Sequence, residues 1–151
     1  MAVYPQRLPM TEAERGSFLA EAPIARLGSL NSDGTVHIAA LWFQAEGDEI
    51  VIGTQEITKK IQNIKRNPNV TVLIDVVGPP LKGVLIYGRA ELDYDDVIEK
   101  RIKIFEKYMS NQDARNLALD LASQFEPVII RIKPKRISSY DYAKEGLIQV
   151  A

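Results

Sequence analysis

Apolar and polar positions alternate along much of the chain, and the alternation predicts strands separated by few helices. Val70 to Val77 (VTVLIDVV) is the clearest case. Val70, Val72, Ile74 and Val76 fall on one face, with Thr71, Leu73, Asp75 and Val77 on the other, and most are β-branched. Ile24 to Leu30, Val36 to Phe43, Glu49 to Gly53, Val84 to Leu92 and Val128 to Ile132 read in the same way, and Ile137 to Tyr142 extends the sheet once more. Ser32-Asp33-Gly34 and Glu46-Gly47-Asp48 supply tight turns that would join the first three strands as a meander. Gly78-Pro79-Pro80 breaks the strand before it, and Lys133-Pro-Lys-Arg136 reads as a basic turn. Gly88, inside a strand, signals a bulge or the close approach of another backbone.

Four stretches switch to the helical period. Thr11-Glu-Ala-Glu14 is a capping box opening a helix to about Glu21, which Pro23 stops. Ile57, Ile61 and Ile64 recur at i, i+4 and i+7, placing them on one face of a short helix with Thr58 at its N-cap and Pro68 beyond its end. Asp95 and Asp96 lead a helix to about Met109, with Ile98, Ile102, Phe105 and Met109 on the buried side. Asp113 to Phe125 follows, with Leu117, Leu121 and Phe125 on one face. Six or seven antiparallel strands, several apolar on both faces, fit a barrel with peripheral helices better than an open sheet. Met1 to Pro9 reads as an extended arm and the end of the chain, around Gly146, as a tail. With no internal repeat, low-complexity segment or linker, the 151 residues are expected to form a single domain with its core between about 11 and 142.

Composition narrows the classes. An apolar content of 46% can fill a core, and the absence of cysteine removes disulfide frameworks and thiolate metal sites. No signal-peptide core or membrane-length apolar run is present, so a soluble cytoplasmic protein is expected, without a membrane partner. A net charge of −1 argues against a nucleic-acid binder.

Charge is nevertheless unevenly placed. From Ile57 to Ile74 there are four cations, Lys59, Lys60, Lys65 and Arg66, and no carboxylate. Lys59 and Lys60 fall in the first turn of the short helix, where cations oppose the macrodipole by about 0.3–1 kcal/mol each. A bound phosphate would reverse that sign, because free backbone N–H groups, the dipole and two ammonium groups would converge on one dianion. The competing reading is a solvated basic face.

Other candidate residues have structural readings. His37, the only histidine, suits a strand edge and cannot make a metal site alone. Trp42 suits a core or interface as well as a ring clamp. Asp95, Asp96, Glu99 and Glu106 read as a solvated helix face, and Lys133, Lys135 and Arg136 as a basic turn. No nucleophile or triad stands out, and no catalytic residue is assigned.

Gly34-Thr-Val-His-Ile-Ala-Ala-Leu-Trp-Phe43, Ile52-Gly-Thr54, Thr58-Lys-Lys-Ile-Gln-Asn63, Arg66-Asn-Pro-Asn-Val70 and Val84-Leu-Ile-Tyr-Gly-Arg-Ala-Glu91 together resemble the split-barrel flavoprotein superfamily typified by pyridoxamine 5′-phosphate oxidase. The resemblance implies a mainly β fold, a six-stranded antiparallel Greek-key split β-barrel. It also implies a homodimer with a flavin or 5-deazaflavin in a groove at the subunit interface. Carried over by position, Ile38, Ala39, Ala40, Leu41 and Trp42 would run along the isoalloxazine ring, with Gly53 and Thr54 beside the ring and ribityl chain. Thr58, Lys59 and Lys60 would hold the phosphate, and Gly83 falls where the oxidase has a glutamine reaching the ring from the opposing subunit. Ala39 stands in place of an arginine, Gly53 replaces a larger residue, and Gly83 lacks an amide. The C-terminal arginine and tryptophan that engage the vitamin have no counterpart. These departures point away from vitamin B6 and towards smaller reductases of unassigned substrate, in which Tyr140 and Tyr142 would line the pocket.

The resemblance therefore implies an oxidoreductase using FMN on a small organic substrate. Its alternatives are a reductase using the deazaflavin coenzyme F-420 and a non-enzymatic flavin or haem carrier. Haem is disfavoured because His37 is the only imidazole available as an axial ligand.

Overall fold

The computed structural model of the chain describes residues 8–145, so most of the Met1 to Pro9 arm and the tail around Gly146 lie outside the described residues. Helix α1 (Glu12–Glu21) opens with the expected capping box: Thr11 Oγ1 accepts from the Glu14 amide at 3.1 Å, and the Glu14 carboxylate accepts from the Thr11 amide at 2.9 Å. Strands β1 (Ala25–Leu30), β2 (Val36–Leu41), β3 (Gln44–Glu46) and β4 (Glu49–Gln55) follow, then α2 (Lys59–Arg66), β5 (Asn69–Val76) and β6 (Lys82–Asp93). Two helices, α3 (Val97–Phe105) and α4 (Asn111–Gln124), precede β7 (Pro127–Asp141) and a short 3-10 turn (Tyr142–Glu145).

Among the described residues all seven strands form one antiparallel sheet in the order β2-β1-β5-β6-β7-β4-β3. It curls so that Leu27, Phe43, Ile52, Val72, Ile86 and Ile130 share one buried core with Leu19 of α1 and Ile61 of α2. The architecture is the expected mainly β split barrel with peripheral helices, with seven strands where six were expected. The addition is β3, three residues long, at one edge.

The expected three-strand meander is not formed. β1 lies between β2 and β5, while β4 pairs with β7 and β3. Burial explains the exchange. Ile50, Val51 and Ile52 are all buried, Val51 on the outer face with Val97, Ile104 and Ile129, so β4 needs cover on both sides. β2 alternates exposed and half-buried positions and can occupy an edge.

The expected turn at Lys133–Arg136 is likewise replaced, because β7 runs unbroken through it. Pro134 pairs with Gly88 where the β6–β7 register slips, so its missing N–H falls at a bulge, the place where a sheet tolerates proline. Gly88 is needed there too: a Cβ would lie 2.7 Å from the Lys133 carbonyl oxygen.

Helix boundaries also differ. α3 ends at Phe105, α4 starts at Asn111, and Phe125 is its C-cap and 43% exposed rather than part of a buried face. Ile57 precedes α2 and is 76% exposed, so only Ile61 and Ile64 anchor that helix apolarly. Buried Asn63 completes the anchor by donating to Ser29 Oγ at 3.1 Å and Asn31 Oδ1 at 2.9 Å, which ties α2 to β1.

Candidate functional site

Where β2 ends, β4 ends and α2 begins, α3 and α4 lean over the sheet and leave a groove of about 410 Å³. Ala40, Leu41 and Trp42 line it from β2 and the residue beyond, Gly53, Thr54 and Gln55 from β4, and Thr58 and Lys60 from the start of α2. The helices supply Arg101, Phe105, Leu117 and Leu121. The lining is therefore largely apolar but carries two cations, Lys60 and Arg101, the latter 5.4 Å over the Phe105 ring, and no carboxylate lines it among the described residues.

At the charged end Thr58 occupies the N-cap of α2, yet its hydroxyl donates back to the Gln55 carbonyl at 2.9 Å and does not cap the helix. The first-turn amides are thus left without a side-chain acceptor. Lys60 is only 8% exposed, and burial, then the positive charge of Arg101, holds its pKa below the ordinary lysine value. Arg101 is 3% exposed and crosses the end of β4. Its Nη1 lies 3.5 Å from the Thr54 carbonyl, its Nη2 donates to Gln55 Oε1 at 3.1 Å, and its buried Nε has no partner. Gly53 makes that crossing possible, since a Cβ there would meet Arg101 Cγ at 3.0 Å.

At the apolar end Trp42 stacks on Tyr108, centroids 4.7 Å apart and planes 15° from parallel, and meets Phe105 edge-on at 5.7 Å. The Tyr108 hydroxyl accepts from the Phe43 amide at 3.1 Å and lies 3.3 Å from the Phe43 carbonyl as donor, which fixes the strand end carrying Trp42. Burial pushes the Tyr108 pKa up. Lys107, on the same turn, lies 3.7 Å above the Phe43 ring and donates to the Ala22 carbonyl at 2.7 Å, closing the end of α1.

Of the residues singled out in the sequence, Ala40, Leu41, Trp42, Gly53, Thr54, Thr58 and Lys60 are brought together here. Ile38 and Ala39 lie further along β2, outside the groove lining. Lys59 is exposed and faces the β1–β2 turn, where it adds slightly to the lowering of the Asp33 carboxyl caused mainly by Thr35. Gly83 is on β6, where a Cβ would lie 2.6 Å from the Tyr140 hydroxyl. Tyr140 and Tyr142 are near each other, 5.8 Å between centroids, and neither lines this groove.

The rest of the basic stretch serves the fold: Lys65 is paired with Glu56, and Arg66 reaches the Leu30 carbonyl and Asn63. Lys133 pairs with Glu91 at 3.2 Å, Lys135 donates to Asn69 at 2.8 Å, and Arg136 lies 4.3 Å over Tyr87. Glu99 pairs with Arg115, and Asp95, Asp96 and Glu106 are exposed. His37 is half-buried opposite Ser29, and no group of three metal-ligating side chains occurs among the described residues.

Arg101 is the residue that sequence reading missed. Its signal was present: it sits four residues after Val97 and four before Phe105, a guanidinium inside a buried apolar stripe. A larger cavity of about 600 Å³ lies beneath α1, but Glu14, Glu21 and Asp141 line it against the single cation Lys82, so it does not suit an anion.

The sequence matches the family model described as pyridoxamine 5′-phosphate oxidase over residues 11–141. No curated protein matches the chain. Among solved structures, a conserved hypothetical protein from Mycobacterium tuberculosis superposes with a TM-score of 0.82 at 24% identity, covering 99% of this chain and 96% of that one. A structure named as an F-420 reductase gives 0.65 at 22% identity over 81% of this chain and 94% of that one. The haem storage protein HutZ from Vibrio cholerae gives 0.65 at 15% identity over 83% and 92%. At these identities the likeness to the solved structures is one of fold. No helix among the described residues is long and apolar enough to cross a membrane.

Proposed function

The chain belongs to the pyridoxamine 5′-phosphate oxidase family, and from that premise we propose that it is an FMN-dependent oxidoreductase whose cofactor lies in the groove at the start of α2, completed by a second copy of the chain. The observation that carries this reading is the pair of buried cations, Lys60 and Arg101, beside uncapped helix amides in a groove that no carboxylate lines among the described residues. A phosphate bound there would meet the helix dipole, both cations and the Thr58 hydroxyl.

From that anchor the apolar wall of the groove runs past Thr54 and Gly53 to Leu41 and Trp42, a surface suited to a flat ring. Ala40 in the groove lining, Ile38 and Ala39 further along the same strand, Lys59 on the exposed side of the first turn of α2 and Gly83 from the second copy are the remaining proposed contacts. The outer face of β2 supports dimerisation. Val36 is 61%, Ile38 68% and Trp42 41% exposed, and Ile57 adds a further apolar side chain that is 76% exposed. Covering this edge would bury the apolar row, occupy unpaired strand positions and exclude water from the groove. A flavin, when bound, supplies the hydride chemistry; the chain holds its phosphate, orients the ring and keeps the site dry. The departures from the oxidase noted above direct the proposal to a small organic substrate other than vitamin B6. Proteins of this fold include an F-420 reductase, so the deazaflavin is the second reading of the same groove. A haem carrier is less well supported, because His37 is outside the groove lining.

Titrating FMN and coenzyme F-420 separately into ligand-free protein tests the site by the rise in melting temperature, with the oligomeric state measured in parallel. FMN at a hundred times its Kd should stabilise the fold by about 2.7 kcal/mol. Lys60→Ala should weaken binding more than Lys65→Ala. Equal losses, or no response to either cofactor, would refute the site. Reduction by a nicotinamide with turnover of an acceptor separates an enzyme from a carrier.

A further inference from the structure

Several cations on this chain are paired with carboxylates. Arg15 meets Asp48 at 2.9 Å, Arg26 meets Asp75 at 3.1 Å, Lys100 meets Asp93 at 2.7 Å and Arg131 meets Glu46 at 2.6 Å, all with more exposure than the groove pair. Lys60 and Arg101 are more deeply buried, and the partners found for Arg101 are all uncharged: the Thr54 carbonyl, the Gln55 amide oxygen and the face of the Phe105 ring, 5.4 Å from the guanidinium. Arg101 Nε has no partner. Two neighbouring positive charges in a desolvated site leave a net charge of about two to be matched.

We infer that Arg101 is a specificity-determining residue: with Lys60 it makes the groove select a terminal phosphate monoester, the dianion, over a phosphodiester, the monoanion. The inference rests on the cofactor-site reading above and narrows it. FMN carries a monoester, whereas the phosphate of coenzyme F-420 is esterified on both sides and bears one charge. A monoanion neutralises one of the two cations and leaves the other buried against it. A dianion matches both, and its extra oxygen without an ester bond can accept from Arg101 Nε while the others face Lys60 and the α2 amides. Lys60 and Arg101 are the titratable side chains that line the groove among the described residues; β2, β4 and α4 contribute none. The nearest carboxylate along the chain, Glu56, is engaged by Lys65 and by the Tyr94 hydroxyl.

The probes are FMN, riboflavin 4′,5′-cyclic phosphate, which is a diester of nearly the same size, and riboflavin, each titrated calorimetrically into full-length protein. Wild type should bind FMN at least about tenfold more tightly than the cyclic ester, as expected for an added charge-assisted contact. Its FMN affinity should fall as pH drops through about 6, where the monoester takes up a proton, while cyclic-ester affinity stays level. Arg101→Met should bring the two esters within about threefold of each other while both still bind. Equal wild-type affinity for FMN and the cyclic ester, or an FMN affinity that does not change with pH, would overturn the inference and leave the flavin site standing. Discrimination that persists undiminished in Arg101→Met would overturn the role given to Arg101, and Arg101→Gln is read in the same way should the methionine variant not fold. Failure of all three flavins to bind would overturn both the inference and the flavin-site reading.

Discussion

Replacing Lys60 by methionine should stabilise the empty protein and weaken its ligand binding in the same variant. Lys60 is 8% exposed and faces Arg101, with no carboxylate on the groove lining among the described residues, so in the absence of an anion it is a desolvated cation beside another cation. Methionine keeps the length of the apolar stem and fits irregular gaps, while the charge disappears. Replacing buried charges with apolar groups is often neutral or stabilising by about 1–4 kcal/mol. The lower end applies here because the groove opens to water, so a gain of about 1 kcal/mol and about 2–4 °C in Tm is expected. The lysine pKa is lowered from 10.5 by burial and by Arg101, which fixes the pH dependence. The wild-type penalty is full below the lowered pKa and fades as pH rises from there towards the unfolded-state value. The advantage of Lys60→Met should therefore shrink at alkaline pH. With FMN the order inverts, because a charge-assisted hydrogen bond of about 1.5–3 kcal/mol is lost and Kd should rise about 10- to 100-fold. Thermal melts with and without FMN, together with calorimetric titration, measure both arms. A less stable empty variant with unchanged FMN affinity would refute the reasoning, since it would make Lys60 a packing residue.

Gly88→Ala places a methyl 2.7 Å from the Lys133 carbonyl oxygen at the β6–β7 bulge, so it should cost about 1–3 kcal/mol in a urea melt; an unchanged midpoint would show that the bulge can open. Tyr108→Phe removes the hydroxyl that serves both the amide and the carbonyl of Phe43, and a loss of about 1–2 kcal/mol is expected. Phenylalanine still stacks on Trp42, the only tryptophan, so its emission should change little; a large shift without loss of stability would contradict the role given to the hydroxyl. Glu14, hydrogen-bonded by Lys144 and then by the Thr11 amide and hydroxyl, has its pKa lowered from 4.5 to about 2. Its contribution is present above 4.5 and is lost as pH falls through about 2, so the Tm difference between wild type and Glu14→Gln should hold steady above that window and close within it.

Local structure was legible wherever one short-range signal dominated. The capping box at Thr11 and Glu14, the alternation in β5 and the glycine of the β6 bulge all appear where the residues place them. Strand order was not legible, because β4 pairs with β7, from Gln55 with Pro127 to Ile50 with Ile132, and periodicity says nothing about such distant partners. The clue in β4 was its consecutive buried residues Ile50, Val51 and Ile52, which need cover on both faces. Pro134 misled for a related reason. Proline normally argues against a strand interior, and the position is permitted only because Gly88 opposes it at a register break on another strand.

The groove divides in the same way. Lys60 could be singled out from sequence because a cation in the first turn of a helix opposes a local field, and the helix itself was predictable from Ile61 and Ile64. Lys59 carries the same signature and is exposed outside the groove, so the dipole criterion finds the turn without choosing between its two lysines. The choice comes from packing: Lys60, buried next to Ile61, is the lysine carried into the groove, where Arg101 arrives from the buried stripe between Val97 and Phe105. Gly53 has to lack a side chain for that guanidinium to cross it. A glycine on one strand, an arginine on a distant helix and a lysine at a helix start thus form one device, and each looks ordinary alone. Their common product is buried positive charge without a carboxylate, an arrangement that costs stability until an anion arrives. The more exposed Arg15, Arg26, Lys100 and Arg131 are set against carboxylates, whereas Lys60 and Arg101 are buried with none on the groove lining among the described residues, so that cost makes chemical sense at a binding site.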